Sequence, residues 1–278
     1  MQSATSIDTA EFKNLAEQAA LKAGELLRRK WNEPRQIDSK GYRDVVTDAD
    51  YASQEIITEL IRAKFPDHGF LTEEDDPSLP QAGPVIWVID PVDGTTNYSR
   101  QIPTYCISIS AAAQQASSEN SEHYYVPVAG VIYDPMRDEL FSAETGSRST
   151  LNGHVISVSE VDDVGEAVIC MDWSRDFEKR QAMLFAINRF AQQARTIRAT
   201  GSASLSLAWV AAGRIDVYFN YGVGPWDVAA AAVIIAQAGG KVTNPAGKTW
   251  SLADPGCVAS NEVIHLSFMT QAGIRALT

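Results

Sequence analysis

The stretch Asp90-Pro91-Val92-Asp93-Gly94-Thr95-Thr96-Asn97-Tyr98 combines residue types that could bind a phosphate group with the help of metal ions. Two carboxylates at this spacing can share hard divalent cations, because such cations prefer oxygen ligands. Gly94 lets the backbone approach a phosphate closely, and exposed N–H groups beside it can bind phosphate oxygens. The stretch therefore predicts phosphate chemistry that depends on metal ions.

This stretch follows an apolar run at residues 85–89, which has the composition of a buried strand. The two acids are therefore expected where a strand ends. At average residue usage, the pattern D-P-x-D-G-T occurs by chance in a chain of this length with a probability on the order of 10⁻⁴. The motif is specific enough to make other acids of the chain candidates for the same site.

Those other acids also lie near the ends of predicted elements. Each has a simpler explanation when it is taken alone, because paired acids are usually solvated and single acids favour the first turn of a helix. Together with the strand-end motif they could hold magnesium, which bridges carboxylates to substrate phosphates. The candidates are Glu73 and Glu74, Asp48 and Asp50, and Asp227.

The elements that must position these acids can be predicted from apolar periodicity and end signals. Helices are predicted at 9–30 (with a capping pair Asp8 and Glu11), 48–64 (capped by Thr47), 179–192, 203–212, 226–238 and from about 262. Strands are predicted at 85–89, 105–112, 127–133, 138–143, 214–219 and 256–260. The polar residues 114–123 are predicted to form an exposed hairpin loop. We expect one layered α+β domain over 1–278, divisible into subdomains of about 1–145 and 146–278 with the site between them.

Composition excludes several classes of protein. The 278 residues carry 23 Lys and Arg against 35 Asp and Glu, a net charge of −12, so the overall field does not attract nucleic acid. We see neither a leader-like N-terminus nor an apolar run that could span a membrane, and expect a soluble, cytoplasmic protein. The three cysteines are expected in the core without disulfides. The four histidines lack catalytic or metal-binding spacing and are expected at the surface or in loops.

Five segments together resemble the motifs of the inositol monophosphatase family. Residues 87–97 are similar to its first hallmark motif, and Trp226-Asp227-Val228-Ala229-Ala230-Ala231 with Ala238-Gly239-Gly240 is similar to its second. Phe70-Leu71-Thr72-Glu73-Glu74, Val46-Thr47-Asp48-Ala49-Asp50 and Gly201-Ser202-Ala203 resemble its metal-binding loop, first acidic segment and substrate-side turn. The resemblance spans roughly residues 9–270 and implies an αβαβα sandwich, like that of the fructose-1,6-bisphosphatase fold.

The resemblance also implies roles for individual residues. Two to three magnesium ions would be held, the first by Glu73, Asp90 and the Val92 carbonyl and the second by Asp90, Asp93 and Asp227. Thr95 and Glu73 would orient and deprotonate a water, and Asp50 would support Thr95 through a hydrogen bond. The N–H groups of Gly94 and Thr95 would bind the phosphate. Substrate hydroxyl groups would contact Asp93, Gly201, Ser202, Ala203 and Asn220.

The motifs indicate the type of reaction more specifically than they indicate the substrate. A small-molecule phosphate ester is expected, with myo-inositol 1-phosphate first, and Thr96 favours that branch over branches that often have lysine there. Fructose 1,6-bisphosphate, histidinol phosphate, 3′-phosphoadenosine 5′-phosphate and sugar phosphates in general stay open. Arg175 in the Trp173-Ser174-Arg175 segment could meet a second anionic group, although an exposed loop is the simpler interpretation. The family also implies lithium sensitivity and a homodimer. Some bacterial members serve as regulatory partners of the transcription machinery, which is an alternative from a different class.

Overall fold

A computed structural model describes residues 8–34, 36–41, 44–116 and 123–274 and arranges them in five layers, helix–sheet–helix–sheet–helix. The α-helices are α1 (Thr9–Lys30), α2 (Asp48–Lys64), α3 (Thr95–Ser99), α4 (Phe177–Phe190), α5 (Ala203–Ala211), α6 (Pro225–Gln237) and α7 (Glu262–Ala272). The strands are β1 (Ile37–Gly41), β2 (Asp44–Thr47), β3 (Gly69–Thr72), β4 (Val85–Asp93), β5 (Cys106–Ala116), β6 (His123–Asp134), β7 (Glu139–Glu144), β8 (Thr150–Leu151), β9 (His154–Val155), β10 (Val168–Met171), β11 (Thr196–Arg198), β12 (Val217–Asn220), β13 (Gly240–Thr243) and β14 (Cys257–Asn261). The αβαβα sandwich expected from the motifs is confirmed.

The first large sheet has seven strands in the order β3-β4-β5-β6-β7-β8-β9. Its strand β4 is buried along its whole length because both faces of the sheet are covered. Val85, Trp87 and Ile89 pack against α1 and α2, whereas Ile86 and Val88 pack into the core between the two sheets. This alternation follows the two-residue period of a strand.

The second large sheet has five strands in the order β11-β10-β12-β14-β13. Helices α5 and α6 lie between the two sheets; eight of the nine residues of α5 and seven of the thirteen residues of α6 are buried, and these are apolar or small. A helix that is apolar all round is expected in such a position. Helices α4 and α7 cover the other face of the second sheet. The described chain changes from one sheet to the other between Val155 and Val168; the subdomain boundary near 145 stays a prediction.

Most long elements lie within two or three residues of their predicted bounds, and both predicted helix caps are present. Strands β5 and β6 extend farther than expected, to Ala116 and from His123, so the predicted loop is shorter; residues 117–122 lie outside the described residues. The short strands β1, β2, β8, β9, β10, β11 and β13 were not predicted, since two to five residues carry too little periodicity to be recognised.

The prediction that the four histidines lie at the surface or in loops is wrong for His265, which is buried within α7; His68 lies in a loop, as predicted, although that loop position is buried. His68 is buried, and its Nδ1 accepts a hydrogen bond from the Trp87 indole N–H at 3.0 Å. His265 is buried between the hydroxyl groups of Ser260 and Thr243, at 2.7 and 2.9 Å. Burial lowers the pKa of His265 to about 4, so it serves as a neutral core residue. The three cysteines are buried, as expected.

Among the helices of the described ranges, none has the length and apolar character required to cross a lipid bilayer.

Candidate active site

A bulge in β4 brings the two acids of the first motif to the same side of the sheet. In a regular strand, side chains at an odd separation point to opposite faces. Opposite β5, however, Asp90 pairs with Ser108 and Asp93 pairs with Cys106, so three steps along β4 match two steps along β5. The extra residue re-aims the side chain that follows it. Asp90 and Asp93 can therefore lie in one cluster.

Two further acids reach this cluster from neighbouring elements. Strands β3 and β4 are parallel, so their carboxyl ends meet at one edge of the sheet, and Glu73 follows β3 there. The Glu73 N–H donates to the Ile89 carbonyl oxygen at 3.0 Å. Asp227 lies in the first turn of α6, where its Oδ2 accepts the Gly224 N–H at 2.6 Å. This capping contact holds the Asp227 side chain against the bulge.

Carboxylate oxygens of Asp90, Asp93 and Asp227 all lie within 4.8 Å of one another. Burial, followed by the charges of Glu73, Asp93 and Asp227, raises the pKa of Asp90 well above its usual value. Burial also raises the pKa values of Asp93 and Asp227. Buried like charges at this distance are unfavourable without a cation, because each disfavours ionisation of the others.

Paired acids are usually solvated, but the pair Glu73-Glu74 is not. Only 11% of the Glu73 side chain is exposed, and Glu74 is buried. Asp48, by contrast, points away from the cluster and pairs with Lys30 at 2.5 Å. Of the candidate acids, Glu73, Asp90, Asp93 and Asp227 thus come together, with Asp50 close behind.

Asp50 lies behind the cluster and contacts Thr95. The Thr95 hydroxyl oxygen is 3.0 Å from Asp50 Oδ1 and 3.1 Å from the Val92 carbonyl oxygen. The other carboxylate oxygen of Asp50 accepts the N–H and hydroxyl of Thr47, at 3.0 and 2.5 Å, and so caps α2. Burial raises the pKa of Asp50 to about 6, and these hydrogen bonds oppose the shift.

Gly94 joins the end of β4 to α3 with φ of 99°, a conformation that favours glycine. A Cβ there would meet carbonyl oxygens of Gly201 and Thr104 at 3.1 Å. The predicted substrate-side turn is therefore packed directly against the first motif. Asn97 strengthens this contact, since its Nδ2 donates to the carbonyl oxygens of Thr104 and Thr200 at 2.7 and 2.8 Å.

The substrate-side turn also binds Asp93. Asp93 Oδ2 accepts the Ser202 hydroxyl at 2.6 Å and the Ser204 N–H at 2.7 Å, and Oδ1 accepts the Ala203 N–H at 3.3 Å. One carboxylate is thus shared between the acid cluster and the start of α5. This arrangement fixes the distance between the acid cluster and the turn.

Asn220 lies at the end of β12 and lines the same pocket, but its amide is occupied by the protein. Its Nδ2 donates to the Asp172 carbonyl oxygen at 2.9 Å, and its Oδ1 accepts the Gly222 N–H at 2.8 Å. The side chain is buried. Asn220 therefore shapes the pocket wall, and only its remaining hydrogen-bonding capacity is available to a substrate.

The acids and the turn line one open pocket of about 730 Å³. Residues 172–176, Lys179 and Arg180 also line this pocket. Trp173 and Arg175 are exposed, as a loop would be, whereas Ser174 is buried. The Arg175 guanidinium lies 3.8 Å from the Glu73 carboxylate. The pocket thus combines the carboxylates of the cluster with cationic side chains, and Arg175 lies close to one of these carboxylates.

Asp172 is a pocket residue that sequence reasoning missed. It follows the apolar run Val168–Met171, so a signal was present: an acid directly after an apolar run, as at Asp90. The run was too short to be recognised as a strand. Burial raises the pKa of Asp172 to about 7; the Gly201 N–H opposes this shift, and the charge of Asp93 adds to it.

Comparison with known proteins agrees with this geometry. The model of the inositol monophosphatase family matches residues 8–274. Inositol monophosphatase 1 from Solanum lycopersicum is 33% identical over 265 residues, 93% of this chain and 93% of that protein. Nus factor SuhB from Escherichia coli strain K12 is 35% identical over 239 residues, 84% of this chain and 85% of that protein. The crystal structure of extragenic suppressor protein suhB from Bartonella henselae has a TM-score of 0.86 at 32% identity, covering 94% of this chain and 98% of that one.

The fold, the buried acids and these relatives support a phosphatase. The chain belongs to the inositol monophosphatase family, as its motifs predict.

Proposed function

We propose that this protein is a magnesium-dependent phosphomonoesterase that hydrolyses a small polyol phosphate, with myo-inositol 1-phosphate as the first candidate. One observation carries the proposal: the carboxylates of the buried Asp90 and Asp93 and of the half-buried Asp227 converge within 4.8 Å at a pocket that Thr95 also lines. Acids that converge in this way, with raised pKa values and a specific partner in a cleft, indicate a functional site.

The donor set fits magnesium. It consists of oxygen atoms only, and the mutual repulsion of the three clustered acids is relieved when a divalent cation binds. Glu73, Asp90, the Val92 carbonyl, Asp93 and Asp227 would hold two ions, with a third, weaker ion beside Glu73. When bound, such ions lower the pKa of a water molecule and offset the negative charge on the phosphate and the leaving oxygen.

The side chains of this protein would then position and deprotonate the attacking water. The Thr95 hydroxyl accepts a hydrogen bond from the water while it donates its own hydrogen to Asp50, 3.0 Å away. Glu73 takes up the proton. The N–H groups of Gly94 and Thr95 bind the phosphate oxygens, and Asp93 with the turn at Gly201 binds the leaving group.

Phosphate release tests this proposal. We would measure kcat/KM with magnesium for myo-inositol 1-phosphate, fructose 1,6-bisphosphate, histidinol phosphate and 3′-phosphoadenosine 5′-phosphate. We expect the protein to hydrolyse myo-inositol 1-phosphate and to lose this activity when a chelator removes the cation. A higher kcat/KM for another of these esters would reassign the substrate. Absence of phosphate release from all of them would contradict the phosphatase. Inhibition by lithium is expected if the inositol branch is correct.

A regulatory binding role is the second candidate, because the E. coli relative carries the name Nus factor. Such a role would not need a metal site. Retention of the protein on immobilised RNA polymerase, with and without the Asp93→Asn substitution, would test it, and lack of retention of either form would count against it. A homodimer and a cytoplasmic location stay predictions; light scattering after size-exclusion chromatography would measure the oligomeric state.

A further inference from the structure

Two acids from different sheets bind the two ends of the substrate-side turn, residues 201–204. Asp93 accepts the N–H groups of Ala203 and Ser204 at the helix end of the turn. At the other end, Asp172 Oδ1 accepts the Gly201 N–H at 2.6 Å. Asp93 belongs to the acid cluster of Asp90, Asp93 and Asp227, whereas Asp172 does not.

Asp172 also connects the turn to the end of the neighbouring strand β12. Its carbonyl oxygen accepts the Asn220 Nδ2–H at 2.9 Å, while its carboxylate accepts the Gly201 N–H. Asp172, Gly201 and Asn220 all line the pocket. A single residue after the end of β10 therefore sets the distance between the turn and the end of β12.

The turn has little freedom to adopt another conformation that would replace this contact. Gly201 has φ of 80°, and any Cβ there would lie 2.7 Å from the Asn97 side chain. Its N–H is directed at Asp172, whose pKa is raised to about 7; above this pH the acceptor is charged, and such a hydrogen bond is stronger than one between neutral groups. Loss of the acceptor would leave this N–H without its partner and loosen the turn that faces the substrate.

We propose that Asp172 is a positioning residue for recognition of the leaving group: through Gly201 it holds the turn against which the hydroxyl groups of the substrate bind. The inference rests on the proposed function, because it concerns the same pocket. It assigns Asp172 to the alcohol part of the ester rather than to its phosphate. An ester without hydroxyl groups should therefore be insensitive to Asp172.

The test compares myo-inositol 1-phosphate with para-nitrophenyl phosphate, which lacks aliphatic hydroxyl groups, as substrates of the magnesium-loaded protein. Asp172→Ala is expected to lower kcat/KM for the inositol ester about tenfold, the effect of one hydrogen bond to a charged group, mainly through KM. Hydrolysis of the nitrophenyl ester is expected to be nearly unchanged. Asp172→Asn keeps an oxygen acceptor for Gly201 and is expected to restore the ratio of the two kcat/KM values.

Asp163→Ala is the matched control. Asp163 is not among the residues that line the pocket, and its carboxylate accepts the Gly165 N–H at 2.8 Å, which caps the short 3₁₀ helix Val164–Glu166. This substitution should lower Tm, because a helix cap is lost, without altering the ratio. If Asp172→Ala does not fold, Asp172→Ser, whose hydroxyl is too short to reach Gly201 in the same way, is expected to give the same change in ratio.

An equal loss for both esters in the Asp172 variants, or no loss for either, would overturn the inference while the phosphatase stands. Failure of the unsubstituted protein to hydrolyse either ester would overturn the proposed function and the inference with it.

Discussion

The Thr95 hydroxyl oxygen lies 3.0 Å from Oδ1 of Asp50, and Oδ2 of the same carboxylate caps helix α2 through Thr47. One buried acid thus connects the proposed water-binding hydroxyl to the start of a helix in another layer. Because the capping contact fixes the Asp50 side chain, the hydrogen bond from the Thr95 hydroxyl is made to an acceptor of fixed position. The position of Thr95 is therefore determined by the packing of α2 as well as by β4.

Substitution of Asp50 by asparagine should impair turnover more than folding. The amide can still accept the Thr47 N–H, but it no longer offers an anionic acceptor to the Thr95 hydroxyl. We expect kcat to fall about 10- to 100-fold, within the range for loss of acid–base support, with KM nearly unchanged. Steady-state kinetics would measure this. Asp48→Asn, which changes the neighbouring acid that pairs with Lys30 outside the site, should keep kcat.

Substitution of Asp93 by asparagine should nearly abolish turnover while the fold stays intact. The carboxylate is shared between the acid cluster and the turn at Ser202, so the change should weaken the binding of magnesium. We expect kcat/KM to fall about 100-fold or more. Phosphate release and calorimetric magnesium titration would measure both effects. Near-normal magnesium-dependent activity would show that the site is wrongly assigned.

Magnesium should stabilise the protein more at pH 8 than at pH 5. Burial raises the pKa values of Asp90, Asp93 and Asp227, and that of Asp50 to about 6, above the unfolded carboxyl value of about 4. The fold therefore binds more protons than the unfolded chain, so the free energy of unfolding without metal falls as pH rises from about 4 through the folded values. A cation offsets that loss.

Thermal unfolding with and without magnesium would measure this difference in Tm at the two pH values. Asp227→Asn should reduce the magnesium effect at pH 8, because one charge of the cluster is removed. An equal increase in Tm at both pH values would contradict the coupling.

Substitution of Gly201 by alanine should cost more stability than the same change at Gly146. Both glycines have positive φ, 80° and 90°, so both variants carry backbone strain of about 1 kcal/mol. At Gly146 a Cβ meets nothing within 4 Å, whereas at Gly201 it would lie 2.7 Å from Asn97. We expect a loss of about 2 kcal/mol or more for Gly201→Ala in denaturant unfolding. Equal losses would indicate that Asn97 moves freely.

Sequence reasoning was sufficient for the layers and for the acids near strand and helix ends. Helices α1 and α2 were predictable because each is long enough to show its apolar period clearly and begins at a capping residue that is adjacent in the sequence. The contact between Asp172 and Gly201 was not, since it joins residues from a short strand and a turn that only the second sheet brings together. His265 was misplaced, and the burial of His68 was not foreseen, because a neutral histidine in the core leaves no spacing pattern in the sequence.

Because of the bulge between Asp90 and Asp93, the first motif depends on the number of residues between the two acids as well as on the residue types. The side chain of Val92 packs in the core and could be another apolar residue of similar size. Removal or insertion of one residue between the acids would instead turn Asp93 toward the opposite face of the sheet, even with every acid retained. Variation in this segment is therefore expected as substitutions at constant length, while changes in length can be accommodated in exposed loops such as the one that contains Trp173 and Arg175.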